Sequence, residues 1–277
     1  MYIKGLYRRR IGRVGRPFTL RTLFSGVILV SLAAGLFSGP FAADQSKVPY
    51  FRSCMPERPE FLEFRDYLAG FYDRAELKGR LAYEPFELGM IGYYNLRRRG
   101  MLMRDSVLTI IDYTRPSTER RLVVIDMGMK EVIYTSVVAH GIGSGEACAE
   151  SFSNTPGSLQ TSIGFYVTGT VYDGIHGIAL KLKGLESGFN DKATARSIVM
   201  HGAWYCSRDF IDEYGRLGRS WGCPALPHGL AKKVIDAAKG GTCLFAYYND
   251  EEYLRKSPLL DIHGAVAGFH EHRGGSE

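Results

Sequence analysis

The hydrophobic pattern of this chain changes period twice along its length. Leu23–Phe37 (LFSGVILVSLAAGLF) is a largely apolar run with no face to it. From Pro59 to Leu77 (PEFLEFRDYLAGFYDRAEL), Phe61, Leu62, Phe64, Leu68, Phe71 and Tyr72 recur at helical spacing, which predicts an amphipathic helix packed on the body. Residues 86–103 fit a second short helix. From Ser106 the period becomes two. Ser106–Tyr113 (SVLTIIDY), Arg121–Met127 (RLVVIDM) and Glu131–Ala139 (EVIYTSVVA) are separated by polar turns and predict a β-meander. Further strands are expected at Gly164–Thr170, Ile178–Lys183, Arg196–His201 and Cys243–Tyr248, with a short helix at His228–Ala238 and fraying over 263–277. The pattern is mainly β and mostly antiparallel, with an N-terminal helical segment and few helices elsewhere. It divides the chain into a leader (1–43), a helical segment (44–104), a catalytic-type β domain (105–250) and a tail (251–277).

Charge sharpens the reading of the leader. The net charge of +6 is misleading, because residues 1–43 hold seven basic side chains (Lys4, Arg8, Arg9, Arg10, Arg13, Arg16, Arg21) and no acid. The remainder holds 28 basic against 29 acidic residues. A nucleic-acid binder carries its basic face on the folded body, so no nucleic-acid partner is expected. The basic stretch, the apolar run and the small residues Ser38-Gly39 and Ala42-Ala43 are the three parts of an export signal. The run partitions into the bilayer while the positive charges stay cytoplasmic. Cleavage is expected near residue 44, with an uncleaved anchor as the alternative. Either way the body is periplasmic or otherwise extracytoplasmic, and it meets the membrane only through the leader.

Five cysteines fall in that body: Cys54, Cys148, Cys206, Cys223 and Cys243. The compartment permits disulfides, and an odd count leaves at least one thiol outside intramolecular pairing. The other four either pair, in one of three connectivities, or are buried as small hydrophobes.

The chemistry concentrates in Ile198–Pro227, IVMHGAWYCSRDFIDEYGRLGRSWGCPALP. An expected strand ends at His201-Gly202. Further on, Ser220-Trp221-Gly222-Cys223 leads into Pro224 and an expected helix. A cysteine nucleophile needs a base, donors for the tetrahedral oxyanion and a group that holds the imidazole. Cys223 and His201 supply the first pair, and the Gly202 carbonyl or a nearby backbone group is the candidate third member. Gly222 lets a backbone approach the sulfur, so that the Cys223 N–H and a neighbouring amide can meet the oxyanion. The helix expected after Pro224 would add N–H groups favouring a thiolate. His140 and His176, with His201, raise the possibility of zinc. No ligand pair at i, i+3 or i+4 and no H-E-x-x-H occurs, so no metal and no other cofactor is expected.

His201-Gly202 followed by Ser220-Trp221-Gly222-Cys223 resembles the signature of the peptidoglycan L,D-transpeptidases. GRLGRSWGCPA (215–225), Val138-Ala139-His140-Gly141, Phe152–Ser158, Gly164–Gly169 and Gly188-Phe189-Asn190 extend the likeness to the murein L,D-transpeptidase catalytic domain family. The resemblance runs from about residue 60 to 250. It implies a mainly β, YkuD-like sandwich or barrel with a few short helices and the cysteine in a cleft. It implies that Cys223 is the nucleophile and His201 the base. Gly202 and Ser220 would shape the site, and Gly222 would contribute to the oxyanion hole. The substrates implied are peptidoglycan stem peptides, attacked between the L-centred third residue and D-Ala, and carbapenem-type inhibitors are expected. Two departures stand out. Trp221 replaces a common His, and Pro224-Ala225 follow the cysteine where many members carry an Arg. Arg216 or Arg219 is then the candidate to hold a substrate carboxylate. Trp204, Tyr205 and Trp221 form a cleft wall or pack as ordinary aromatics, and His140 lines the cleft or packs. A carboxypeptidase or endopeptidase with water as acceptor is the enzyme alternative. A non-catalytic wall-binding module is the other, and the presence of both Cys223 and His201 counts against it.

Overall fold

The computed structural model describes residues 58–175 and 177–274. The expected leader, Cys54 and His176 lie outside the described residues. Proline at the first turn starts α1 (Pro59–Arg74), whose buried residues Phe61, Phe64, Leu68 and Phe71 form one helical stripe. α2 (Tyr83–Arg98) is buried along nearly its whole length. Eight strands follow: β1 (Val107–Asp112), β2 (Leu122–Asp126), β3 (Glu131–Ser136), β4 (Gly164–Gly174), β5 (Gly177–Gly184), β6 (Val199–Ala203), β7 (Ala225–Pro227) and β8 (Cys243–Tyr247). They form one mixed sheet in the order β3-β2-β1-β8-β4-β5-β6-β7. The β1–β8 and β6–β7 pairs are parallel and the other pairs antiparallel. Bridges Ala139↔Ala225 and Gly141↔Ser220 join the chain just after β3 to the β7 end. The sheet is thereby a nearly closed barrel.

Central strands are apolar on both faces, as burial on both sides demands. Alternate residues of β1 serve different layers: Leu108 and Ile110 pack with α1 and α2, while Val107 and Ile111 face the other core. β8 does the same, with Cys243, Phe245 and Tyr247 on one side and Leu244 and Ala246 on the other. Phe165 stacks on Phe245 with ring centroids 4.1 Å apart. A Cβ on Gly92 of α2 would lie 1.9 Å from the Phe165 ring, so glycine is what lets this helix sit down on the sheet.

Three local expectations are corrected. Residues 263–277 were expected to fray, yet α6 (Ile262–Gly274) buries Ala265, Val266 and Phe269 in the core shared with α2. α5 (Glu251–Lys256), capped by Asp250, likewise anchors what was read as a tail through buried Tyr253. After Cys223 comes not a helix but the short strand β7, and α4 (His228–Ala238) begins only afterwards. Pro224 has no N–H to continue a helix, and Ala225–Pro227 gain ladder partners on β6. α3 (Arg208–Tyr214), between Ser207 as its cap and left-handed Gly215, is too short for its periodicity to have been visible. No helix among the described residues is long and apolar enough to cross a membrane.

Candidate active site

The site is assembled by the parallel pairing of β6 with β7. Register sets His201 opposite Ala225, and the His201 N–H donates to Pro224 O at 3.4 Å. Cys223, one residue earlier, thus lies beside the strand that carries His201. The Val199 N–H donates to Cys223 Sγ at 3.4 Å, and the thiol points at Ser197 O at 3.7 Å. Val199 and His201 are two residues apart on β6, so their side chains share a face.

His201 is buried at 4% exposure, and its Nδ1 lies 3.0 Å from Gly202 O. A carbonyl only accepts, so the Nδ1 proton is on that nitrogen, and Nε2 is the basic one. The backbone of Gly202 is the imidazole's orienting partner. A Cβ on Gly202 would stand 2.9 Å from His228 Nδ1 and 3.1 Å from Ala231 Cβ, so a side chain here would crowd α4. Burial pushes the Cys223 thiol above its ordinary pKa, while the Val199 N–H and the charge of Arg196 oppose the rise. A thiol raised by burial requires a base to become a nucleophile.

The turn before the cysteine is braced from within. Ser220 Oγ accepts the Gly222 N–H at 3.1 Å and donates to Cys223 O at 2.6 Å. Thr161 Oγ1 accepts from the Gly141 N–H at 2.9 Å and donates to Gly222 O at 3.2 Å. Gly222 has φ +121°, and a Cβ there would approach Gln160 O at 2.7 Å. The amide of Gly222, expected to contribute to an oxyanion hole, donates to Ser220 Oγ. Ser220 is 5% exposed and braces this turn through both bonds.

Other candidates separate in the same way. Trp221 is 73% exposed and stands on the rim. Tyr205 packs against Gly218, and its phenol, raised by burial, lies within electrostatic reach of the Cys206 and Cys223 thiols. Arg219 is occupied by Glu146 at 2.7 Å and Gly145 O at 3.0 Å, and Arg216 by the same Glu146 at 2.8 Å. Both guanidiniums, the candidates for holding a substrate carboxylate, thus share the exposed carboxylate of Glu146. His140 is 1% exposed, with Nδ1 2.7 Å from Arg121 Nη2. Desolvation and the Arg121 charge hold its pKa down at about 4. The ring is therefore a neutral acceptor for Arg121, next to the 138–141 segment whose Val138 carbonyl the same guanidinium holds. No group of three or more His, Cys, Asp or Glu side chains among the described residues is arranged to hold a metal ion.

Two residues escaped sequence reasoning. Fully buried Arg121 donates twice to Val138 O, at 3.0 and 2.8 Å, as well as to His140. Arg196 makes four contacts to the 153–162 loop beside Gly222. Nothing in the local string marks either, and the fold buries Arg121 and half-buries Arg196. Of the described cysteines, Cys148 is exposed and Cys206 and Cys243 are buried, and all three, like Cys223, are free thiols. Burial pushes Cys206 up to about 12 and Cys243 higher still.

Residues 77–247, more than half of the chain, match a family model described as the L,D-transpeptidase catalytic domain. No curated protein matches the chain. Among solved structures, an L,D-transpeptidase from Mycobacterium smegmatis is 14% identical with a TM-score of 0.32, the match covering 52% of this chain and 59% of that one. An L,D-transpeptidase from Stackebrandtia nassauensis is 13% identical with a TM-score of 0.35, covering 66% and 77%. A third, an LD transpeptidase in complex with imipenem, is 15% identical with a TM-score of 0.32, covering 51% and 59%. The chain thus spans less than two thirds of the length of the first and third of these.

Proposed function

Because the chain belongs to the L,D-transpeptidase catalytic-domain family, we propose that it is a peptidoglycan L,D-transpeptidase working through an acyl-enzyme on Cys223 outside the cytoplasmic membrane. The observation that carries this reading is the β6–β7 pairing, which sets Cys223 beside the strand bearing a His201 whose Nδ1 is committed to Gly202 O.

The steps follow from the residues. His201 Nε2 takes the thiol proton, and the Cys223 thiolate attacks the carbonyl of the L-centred third residue of a stem peptide. The Cys223 N–H meets the oxyanion that forms. Collapse of the tetrahedral species breaks the C–N bond to D-Ala, whose nitrogen receives the proton from His201. The thioester is then attacked by an acceptor amine, which gives its proton to His201 and restores the thiol. Exposed Trp221 on the rim offers an apolar surface to the incoming stem. Mass spectrometry of isolated muropeptides incubated with the purified protein is the test. New cross-links are expected, and none with Cys223→Ala or His201→Ala, each a loss of several orders of magnitude. Trimmed stems without cross-links would replace the amine acceptor with water. Cross-linking that survives Cys223→Ala would end the proposal.

A further inference from the structure

We propose that Arg196 is a positioning residue of this thiol: its guanidinium clamps the 153–162 loop against the Gly222 turn and keeps a positive charge beside Cys223. The proposal deepens the reading of Cys223 as nucleophile and rests on it.

A helix N-terminus directly after Cys223 would have offered its dipole to the thiolate, but β7 stands there and α4 begins at His228. Arg196 supplies a standing positive charge in addition to the imidazolium that forms when His201 takes the thiol proton. Arg196 precedes β6 by three positions and reaches across to the loop. Nη1 contacts Ser153 O at 2.7 Å and Ser162 Oγ. Nη2 contacts Gln160 O at 2.6 Å and Ser158 Oγ at 3.3 Å. A planar fork with donors on two nitrogens suits four acceptors in this way, and an ammonium does not. The same Nη2 lies 3.3 Å from where a Cβ on Gly222 would be, which places the charge against the residue preceding the nucleophile.

The partners are neutral. Two carbonyls and two hydroxyls orient the guanidinium without cancelling its charge, in contrast to Arg216 and Arg219, which share the one carboxylate of Glu146. Arg196 is the charged side chain that works against the burial-driven rise of the Cys223 thiol, and Cys223 acts in return on Arg196. Between them, Ser197 holds φ +56°, an uncommon conformation for a side-chain-bearing residue, and turns its carbonyl toward the sulfur. One guanidinium therefore couples the loop bordering the Gly222 turn to the ease of forming the thiolate.

The test is the pH dependence of iodoacetamide alkylation, followed by peptide mapping. Exposed Cys148 in the same tube serves as the internal control. Arg196→Gln is expected to raise the Cys223 midpoint by about one pH unit, the lower end for loss of an adjacent opposite charge, with Cys148 unmoved. The acidic limb of the turnover profile should move up with it. Arg196→Lys keeps the charge but loses the fork, and should give a smaller rise with faster proteolysis of the 153–162 loop. If Arg196→Gln does not fold, the Ser158→Ala/Ser162→Ala double variant loosens the fork with the charge retained. It should raise the midpoint and loop cleavage together. An unmoved Cys223 midpoint in folded Arg196→Gln, or in the double variant with its loop loosened, overturns the proposal. Turnover retained by Cys223→Ala would instead remove the nucleophile reading, while the alkylation profiles still report on Arg196.

Discussion

His140 gives the structure a specific acid sensitivity. Its folded-state pKa of about 4 lies below the ordinary value of 6.5, first because the ring is desolvated and second because Arg121 faces it. The neutral ring accepts from Arg121 Nη2 at 2.7 Å, and a protonated ring would set two cations against each other in the core. The sign follows from proton linkage. Between pH 4 and 6.5 the unfolded chain binds the His140 proton and the folded chain does not. Stability from this group is therefore complete above the unfolded value and is lost as pH falls toward the folded one. The shift amounts to a loss of about 2 kcal/mol by pH 5 and about 3 kcal/mol by pH 4. Arg121, lowered by burial to about 10, stays charged throughout that range. Buried Asp112 and Glu186, whose carboxyls are raised by burial, contribute in the opposite sense. The comparison must therefore be made against His140→Gln, which retains both carboxyls and an acceptor for Arg121. Urea unfolding of both proteins at 25 °C from pH 7 to pH 4 measures the difference directly. The wild type should lose stability relative to the variant by the amounts given. Two curves that run parallel to within about 0.5 kcal/mol would refute the argument.

Other outcomes follow from close approaches. Gly222→Ala forces a side chain into φ +121° and onto Gln160 O at 2.7 Å. It should lower stability by about 2 kcal/mol and remove most turnover, and a variant with wild-type melting and activity would contradict the geometry. Gly92→Ala drives a methyl into the Phe165 ring and should cost about 3 kcal/mol in denaturant unfolding, since Phe165 is already stacked on Phe245. An unchanged midpoint would show that α2 can lift off the sheet freely. A carbapenem should add one mass increment to the intact protein, mapped to Cys223 and lost in Cys223→Ala. An adduct on exposed Cys148 instead would show that accessibility, not activation, governs acylation.

Local strings carried much of this protein. Apolar runs rich in β-branched residues, continuous where both faces are buried and alternating where one is exposed, placed seven of the eight strands. The Phe61–Phe71 stripe placed α1, and the His-Gly and Ser-Trp-Gly-Cys strings pointed to a thiol and an imidazole. The tertiary structure decided what those strings do together. β7 is three residues long and exists through its pairing with β6, so nothing in Ala225–Pro227 alone announces it. That pairing brings Cys223 to the strand of His201 and moves the helix N-terminus away from the sulfur. α6 was legible only as a glycine- and histidine-containing tail, because its stability comes from packing Phe269 against α2 and not from its own propensity. Arginines have no periodic signature, yet Arg121 is buried and Arg196 half-buried against carbonyls that only the fold brings together. A sequence shows which side chains are present. Which charge is paired, which is left beside a thiol and which ring is kept neutral depend on distances between segments far apart in the chain, and folding alone sets those distances.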